Sequence, residues 1–185
     1  FISSEKIIVT FDVAKDVYLD DKIKKNNMFL YVGRANDPIK RIKLVRDSIS
    51  KIEKALETIK ICGTENPGFG NYLGVVPDTE LNKYYNSSKF VLLPSKAEGI
   101  GLSMIEGMIC GAIPITCLDN LTAKEFSPHN FICEPNPNSI VKKIEELDNN
   151  YEKNREIALD FGKKYKIQFN KKSIAQNIIK IYNSR

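Results

Sequence analysis

Short apolar runs alternate along this chain with longer stretches in which apolar positions recur every three or four residues, the pattern of β-α units around a parallel sheet. The runs predict strands over 6–11, 28–33, 58–63, 71–75, 90–94, 112–116 and 130–133. Each is rich in Val, Ile, Leu or Phe without polar alternation, as strands covered on both faces are. Helices are expected over 39–57, 77–86, 102–110, 122–126, 137–149, 151–165 and 171–183. Start and stop signals agree: Asp78-Thr79-Glu80 and Asn136-Pro137 offer caps or a first-turn proline, and Gly111 follows a helix as a C-cap. The order makes an α/β fold, a doubly wound, Rossmann-like parallel sheet of about six strands with helices on both faces. Ligands of such sheets bind beyond the carboxyl ends of the strands, which gives weight to the loops after Gly33, Gly63, Pro94 and Thr116.

Composition narrows this without changing it. At 185 residues, 42% hydrophobic and 28% charged, the chain matches one globular domain able to build a two-sided core. There is no internal repeat, low-complexity tract or Gly/Ser linker, so one domain over 1–185 is expected, with helices over 151–185 free to pack elsewhere, toward an N-terminal domain outside this sequence. The first residue is Phe, which suggests a chain cut from something longer. The four cysteines, Cys62, Cys110, Cys117 and Cys133, lack CxxC or CxxH spacing and read as buried thiols in a reducing compartment. With no run of ~18 apolar residues and no signal-peptide pattern at its start, the chain is expected in the cytoplasm. A net charge of +5 spread along the chain calls for no nucleic-acid partner. Lys163, Lys164, Lys166, Lys171, Lys172 and Lys180 follow Glu152, Glu156 and Asp160, and read as a solvated helix face or as a basic patch peripheral to the inner face of a membrane.

Two loops carry candidate chemistry. After the strand at 28–33 comes Gly33-Arg34-Ala35-Asn36-Asp37-Pro38-Ile39-Lys40-Arg41, where cations stand at the end of the sheet that binds anions. The alternative is local: Arg34 paired with Asp37 and Lys40 solvated. After the strand at 90–94 comes Ser95-Lys96-Ala97-Glu98-Gly99-Ile100-Gly101-Leu102-Ser103-Met104-Ile105-Glu106. Glycines admit a ligand close to the backbone, free N–H groups at a helix start favour phosphate, and an ionised Glu accepts both hydroxyls of a vicinal diol. Anion site and diol acceptors together describe a nucleotide-diphosphate sugar. The alternative makes Glu98 a capping carboxylate and Glu106 an exposed helical one. Gly68-Phe69-Gly70 lacks a P-loop's Lys and Ser/Thr and reads as a turn. His129, the single histidine, has a surface or packing role, Tyr84-Tyr85 a core or subunit contact, and hydrolase triads lack parts.

Glu98 and Glu106 with Gly-Ile-Gly-Leu between them resemble the motif of retaining GT-B glycosyltransferases of the glycogen-synthase and mannosyltransferase kind, glycosyltransferase family four. Tyr31-Val32-Gly33-Arg34 with Lys40, Asn71 to Leu81, Phe90 to Ser95 and Glu106 to Pro114 resemble further stretches of that family in order and spacing. The resemblance covers roughly residues 28–145. It implies the donor-binding, C-terminal half of a GT-B enzyme that transfers a hexose from a nucleotide-diphosphate sugar with retention. Arg34 and Lys40 would neutralise the diphosphate with the N–H groups of Gly101, Leu102 and Ser103. Glu98 would bind the sugar, with Gly33, Gly99 and Ile100 lining the donor site. Glu106 would bind the ribose, and Val75 and Val76 would flank the base. Arg and Lys standing in for a divalent cation imply no metal and no cofactor. The acceptor, a glycan, lipid or protein, would be bound by an N-terminal domain outside this sequence. Two departures stand out: Lys40 is followed by Arg41 where the family often has Gly, and Cys117-Leu118-Asp119-Asn120-Leu121 replaces a glycine pair. A non-catalytic nucleotide-sugar-binding module is the alternative, and a GT-B-fold epimerase a third.

Overall fold

Six of the seven apolar runs become strands of one all-parallel sheet in the computed structural model, which describes residues 14–183. The expected strand at 6–11 lies outside the described residues. The strands are β1 (Asn27–Val32), β2 (Lys60–Cys62), β3 (Asn71–Gly74), β4 (Ser88–Leu93), β5 (Ile113–Cys117) and β6 (Ile132–Cys133), in the order β3-β2-β1-β4-β5-β6. β1 and β4 pair at the centre with Phe29 opposite Phe90, and Phe29, Leu30, Phe90 and Val91 are fully buried. Apolar residues on both faces of these strands require cover on both sides of the sheet. The chain builds outward from β1, then restarts at β4 and builds the other way. That reversal opens a crevice at the carboxyl ends of β1 and β4.

The covering helices are α1 (Ile42–Ile49), α2 (Ala55–Thr58), α3 (Asp78–Ser87), α4 (Leu102–Ile109), α5 (Leu121–Phe126), α6 (Pro137–Asp148), α7 (Tyr151–Gln168) and α8 (Lys171–Asn183). α1 packs on α6 on one side, and α3 and α7 pack on α4 on the other. α7 comes close because of Gly162, where a Cβ would lie 2.5 Å from the carbonyl carbon of Met108. The tail from residue 151 therefore divides. α7 packs on this sheet's own helix, and Phe126, Tyr165 and Phe169 form an aromatic cluster beneath it with centroids 5.6 to 5.8 Å apart. α8 buries only Ile174 and leaves Ile178, Ile179 and Tyr182 exposed. No described helix is long and apolar enough to cross a membrane.

The sequence expectation fails at 39–57, where a single helix was expected. A 3-10 turn at Pro38–Lys40, α1 and α2 stand there instead, separated where Arg41 (φ 52°) and Lys54 (φ 56°) take the left-handed conformation. Glycine normally marks such breaks, and there is none between Gly33 and Gly63. The last strand is also shorter than expected, because a 3-10 turn at His129–Phe131 occupies its start.

Candidate functional site

The loop leaving β1 turns at once into the crevice. Gly33 donates its N–H to the Cys62 carbonyl at 3.0 Å and packs so tightly on Gly63 that a Cβ there would meet the Gly33 oxygen at 2.1 Å. Arg34 is 68% exposed and pairs with Asp37 at 2.9 Å, while the other Asp37 oxygen accepts from the Ile39 N–H and caps the 3-10 turn. Arg34 thus makes the local pair with Asp37, whereas Lys40 is not simply solvated. Its Nζ reaches both oxygens of Glu98, at 2.7 and 2.8 Å, with the two side chains 19% and 10% exposed. Cation and carboxylate from loops 58 residues apart meet at the switch point between β1 and β4.

Glu98 heads the loop into α4. Gly101, at φ 75° and ψ 51°, is the N-cap of α4 and has no side chain to satisfy the helix's first N–H groups. A residue with a Cβ pays a steric cost in that conformation, which glycine avoids. The N–H groups of Gly101, Leu102 and Ser103 thus open a positively polarised helix end beside Lys40. Gly99 is exposed, and Ile100, Leu102 and Ser103 are half-buried.

Glu106 lies one turn further in and is not the exposed helical carboxylate of the alternative reading. It is only 3% exposed, with Oε1 accepting the Lys15 N–H at 3.0 Å and Oε2 accepting the Tyr85 hydroxyl at 2.9 Å. Burial raises its pKa, and those two hydrogen bonds oppose the rise. Each oxygen keeps an acceptor position beyond the bond it already makes. Tyr85 itself is core, and Tyr84 is half-buried against it. Val75 is 75% exposed on the loop after β3, and Val76 packs on the core.

Four residues at the edge of the site take parts that the sequence did not assign to them. Arg41 donates in a fork to both oxygens of Asp119, with Nη1 to Oδ1 at 3.0 Å. Asn120 is buried and caps α5, and the Thr122 hydroxyl donates to the Glu98 carbonyl at 2.6 Å. The hydroxyls of Tyr31, Ser95 and Thr116 are buried without a hydrogen-bond partner among the described residues, all three near the carboxyl ends of β1, β4 and β5. Burial and the carboxylates of Glu98 and Asp37 push the Tyr31 phenol up. Among the described residues no group of three or more His, Cys, Asp or Glu could hold a metal ion. A cavity of about 740 Å³ opens beside the same loop, lined by Ala35, Pro38, Arg41, Leu44 and Phe69, but not by Lys40, Glu98 or α4. Charge and convergence, rather than concavity, mark the candidate site at the switch point.

The family model for glycosyl transferases, group 1 matches residues 70–166, just over half of the chain. An uncharacterized glycosyltransferase of Methanocaldococcus jannaschii is 24% identical over 98% of this chain and 54% of its own length. Among solved structures, sucrose-phosphate synthase from Thermosynechococcus elongatus superposes with a TM-score of 0.78 at 18% identity, covering 96% of this chain and 51% of that one. Anabaena HepE, solved in complex with UDP-glucose, superposes at 0.72 with 18% identity, covering 86% of this chain and 50% of that one. This chain spans about half the length of these relatives, and its fold is that of a GT-B glycosyltransferase half.

Proposed function

Because the chain belongs to the glycosyl transferases group 1 family, we propose that it is the donor-binding half of a retaining enzyme of glycosyltransferase family four, moving a hexose from a nucleotide-diphosphate sugar to an acceptor. The observation that carries this is the meeting of Lys40, Glu98 and the uncapped start of α4 at the switch point. On this reading Arg34, Lys40 and the N–H groups of Gly101 to Ser103 take the diphosphate. Lys40 then exchanges the Glu98 carboxylate for phosphate oxygens, which frees Glu98 for the sugar hydroxyls. Glu106 takes the ribose diol, and Val75 with Val76 flanks the base. As the anomeric bond breaks, negative charge grows on the diphosphate, and donors already aimed there lower the barrier without reorganising. The fixed cations make a divalent metal dispensable. The acceptor site and the wall that completes the cleft come from an N-terminal domain outside this sequence, and the basic stretch of α7 and α8 offers a contact for a membrane carrying the acceptor.

Titration with UDP, GDP and ADP and their sugars tests the binding half of this reading. One of the three should bind, and Arg34→Ala should weaken it about 10- to 100-fold, the loss of a hydrogen bond to a charged group. Unchanged affinity in Arg34→Ala removes Arg34 from the site, and no binding by the unaltered protein removes the reading. Product analysis with the N-terminal half restored separates an enzyme from a binding module.

A further inference from the structure

Arg41 occupies an expensive position. It is one of two non-glycine residues with positive φ among the described residues, and as N-cap of α1 it makes no capping side-chain bond. Its guanidinium instead crosses to the loop after β5, 78 residues on, and grips both oxygens of Asp119, while Nη1 also reaches the Pro94 carbonyl at the end of β4 at 3.4 Å. The pair is only partly exposed, 22% for Arg41 and 34% for Asp119. Planar, bidentate geometry fixes orientation as well as distance, which a lysine cannot do.

The two loops joined in this way are the two that hold Glu98. Lys40, next to Arg41, binds its carboxylate, and Thr122, three residues after Asp119, binds its main-chain carbonyl and lies 3.4 Å from that of Gly99. Asn120 locks the intervening turn by accepting from the N–H groups of Thr122 and Ala123. The β5–α5 loop therefore bears on Glu98 and Gly99, whose carbonyls Thr122 holds, and not on the start of α4.

We propose that Arg41 is a positioning residue: by gripping Asp119 it fixes the β5–α5 loop against Glu98 and so sets how the donor's sugar, rather than its diphosphate, is held. This rests on the donor-site reading above. The Arg41 guanidinium is taken up by Asp119 and the Pro94 carbonyl, so Arg41 acts through the loop it holds.

The test compares Arg41→Gly, Arg41→Lys, Asp119→Asn and the Arg41→Gly/Asp119→Asn double variant in the full protein. Glycine takes the left-handed conformation freely, so Arg41→Gly keeps the fold. Calorimetry with UDP and UDP-glucose, GDP and GDP-mannose, and ADP and ADP-glucose measures how much the sugar adds to nucleotide affinity. Hydrogen exchange over 118–123 reads the loop directly. The expected result is bare-nucleotide affinity within about threefold of the unaltered protein, a sugar contribution reduced about 10- to 100-fold, and faster exchange over 118–123. Arg41→Lys should behave like Arg41→Gly, and the double variant should be no worse than either single one, since both remove the same contact. Unchanged sugar contribution, or equal loss of nucleotide and nucleotide-sugar binding, overturns the proposal. If the unaltered protein binds none of these nucleotides, the donor-site reading fails and the sugar role with it. Unchanged exchange in Arg41→Gly overturns the loop clamp independently.

Discussion

At the scale of single residues, Glu106 separates structural from ligand-binding work. Its two oxygens hold Lys15 and Tyr85, bonds that glutamine can also make, since the Tyr85 hydroxyl can turn to accept from the amide. Glu106→Gln also removes a charge that burial disfavours. The melting temperature should therefore stay or rise, while affinity for a nucleoside diphosphate falls about 10- to 100-fold if the ionised carboxylate takes the ribose diol. Unchanged affinity would leave Glu106 a purely structural group. Lys25 makes a second residue-scale prediction. It donates to the Tyr85 and Cys110 carbonyls, and burial lowers its pKa to about 7. An unfolded lysine titrates near 10.4, so above about pH 7 the unfolded state binds more protons than the folded one and stability rises with pH. Burial acts oppositely on Cys62 and Cys110, raised to about 11 and about 12, and their contribution falls once unfolded thiols ionise above about pH 8.5. Melting temperature should thus climb between about pH 7 and 8.5 in the wild type and stay flat in Lys25→Met. An equal climb in both would assign the slope to other groups. Charges beside glycines at strand ends, together with the family resemblance of the surrounding stretches, made Arg34, Lys40, Glu98 and Glu106 legible as site candidates. The Lys40–Glu98 and Arg41–Asp119 pairs were not legible, because partners 58 and 78 residues apart leave no local pattern.

At the scale of elements, the strands were readable because burial on both faces removes polar residues from them, and all six expected runs that fall among the described residues are strands. Helix limits were readable where glycine, proline or asparagine marked them, as at Gly111 and Asn136-Pro137. They were unreadable over 39–57, where Arg41 and Lys54 adopt a glycine-like conformation at about 1–2 kcal/mol each. The close crossing of α4 and α7 was equally hidden, since Gly162 sits in an otherwise ordinary helical stretch. Gly162→Ala puts a Cβ about 2.5 Å from the Met108 backbone, which cannot yield as a flexible side-chain tip would. Alanine favours an isolated helix by roughly 1 kcal/mol over glycine, so propensity alone predicts a gain. Overpacking costs about 1–3 kcal/mol and should outweigh it, lowering the melting temperature by a few degrees. A higher melting temperature in Gly162→Ala would show that α7 can slide on α4.

At the scale of the whole molecule, the switch point makes ligand binding and folding one equilibrium. On the proposed reading, a donor held by Arg34 and Lys40 after β1 and by the start of α4 after β4 bridges the two halves of the sheet, and neither half alone offers that site. A ligand that binds only the folded state at 100 times its dissociation constant adds about 2.7 kcal/mol. For a chain of this size that corresponds to about 5–10 °C in melting temperature. The nucleoside diphosphate that binds should produce a shift of that order, and EDTA should leave it unchanged if fixed cations replace a divalent metal beside the diphosphate. Salt should weaken it, because Arg34 is 68% exposed and screening at 1 M shortens the Debye length to about 3 Å. The dependence should be smaller in Arg34→Ala, which retains only the better-shielded Lys40 and the α4 amides. A shift abolished by EDTA and restored by magnesium would assign the diphosphate to a metal and reduce Arg34 and Lys40 to partners of Asp37 and Glu98.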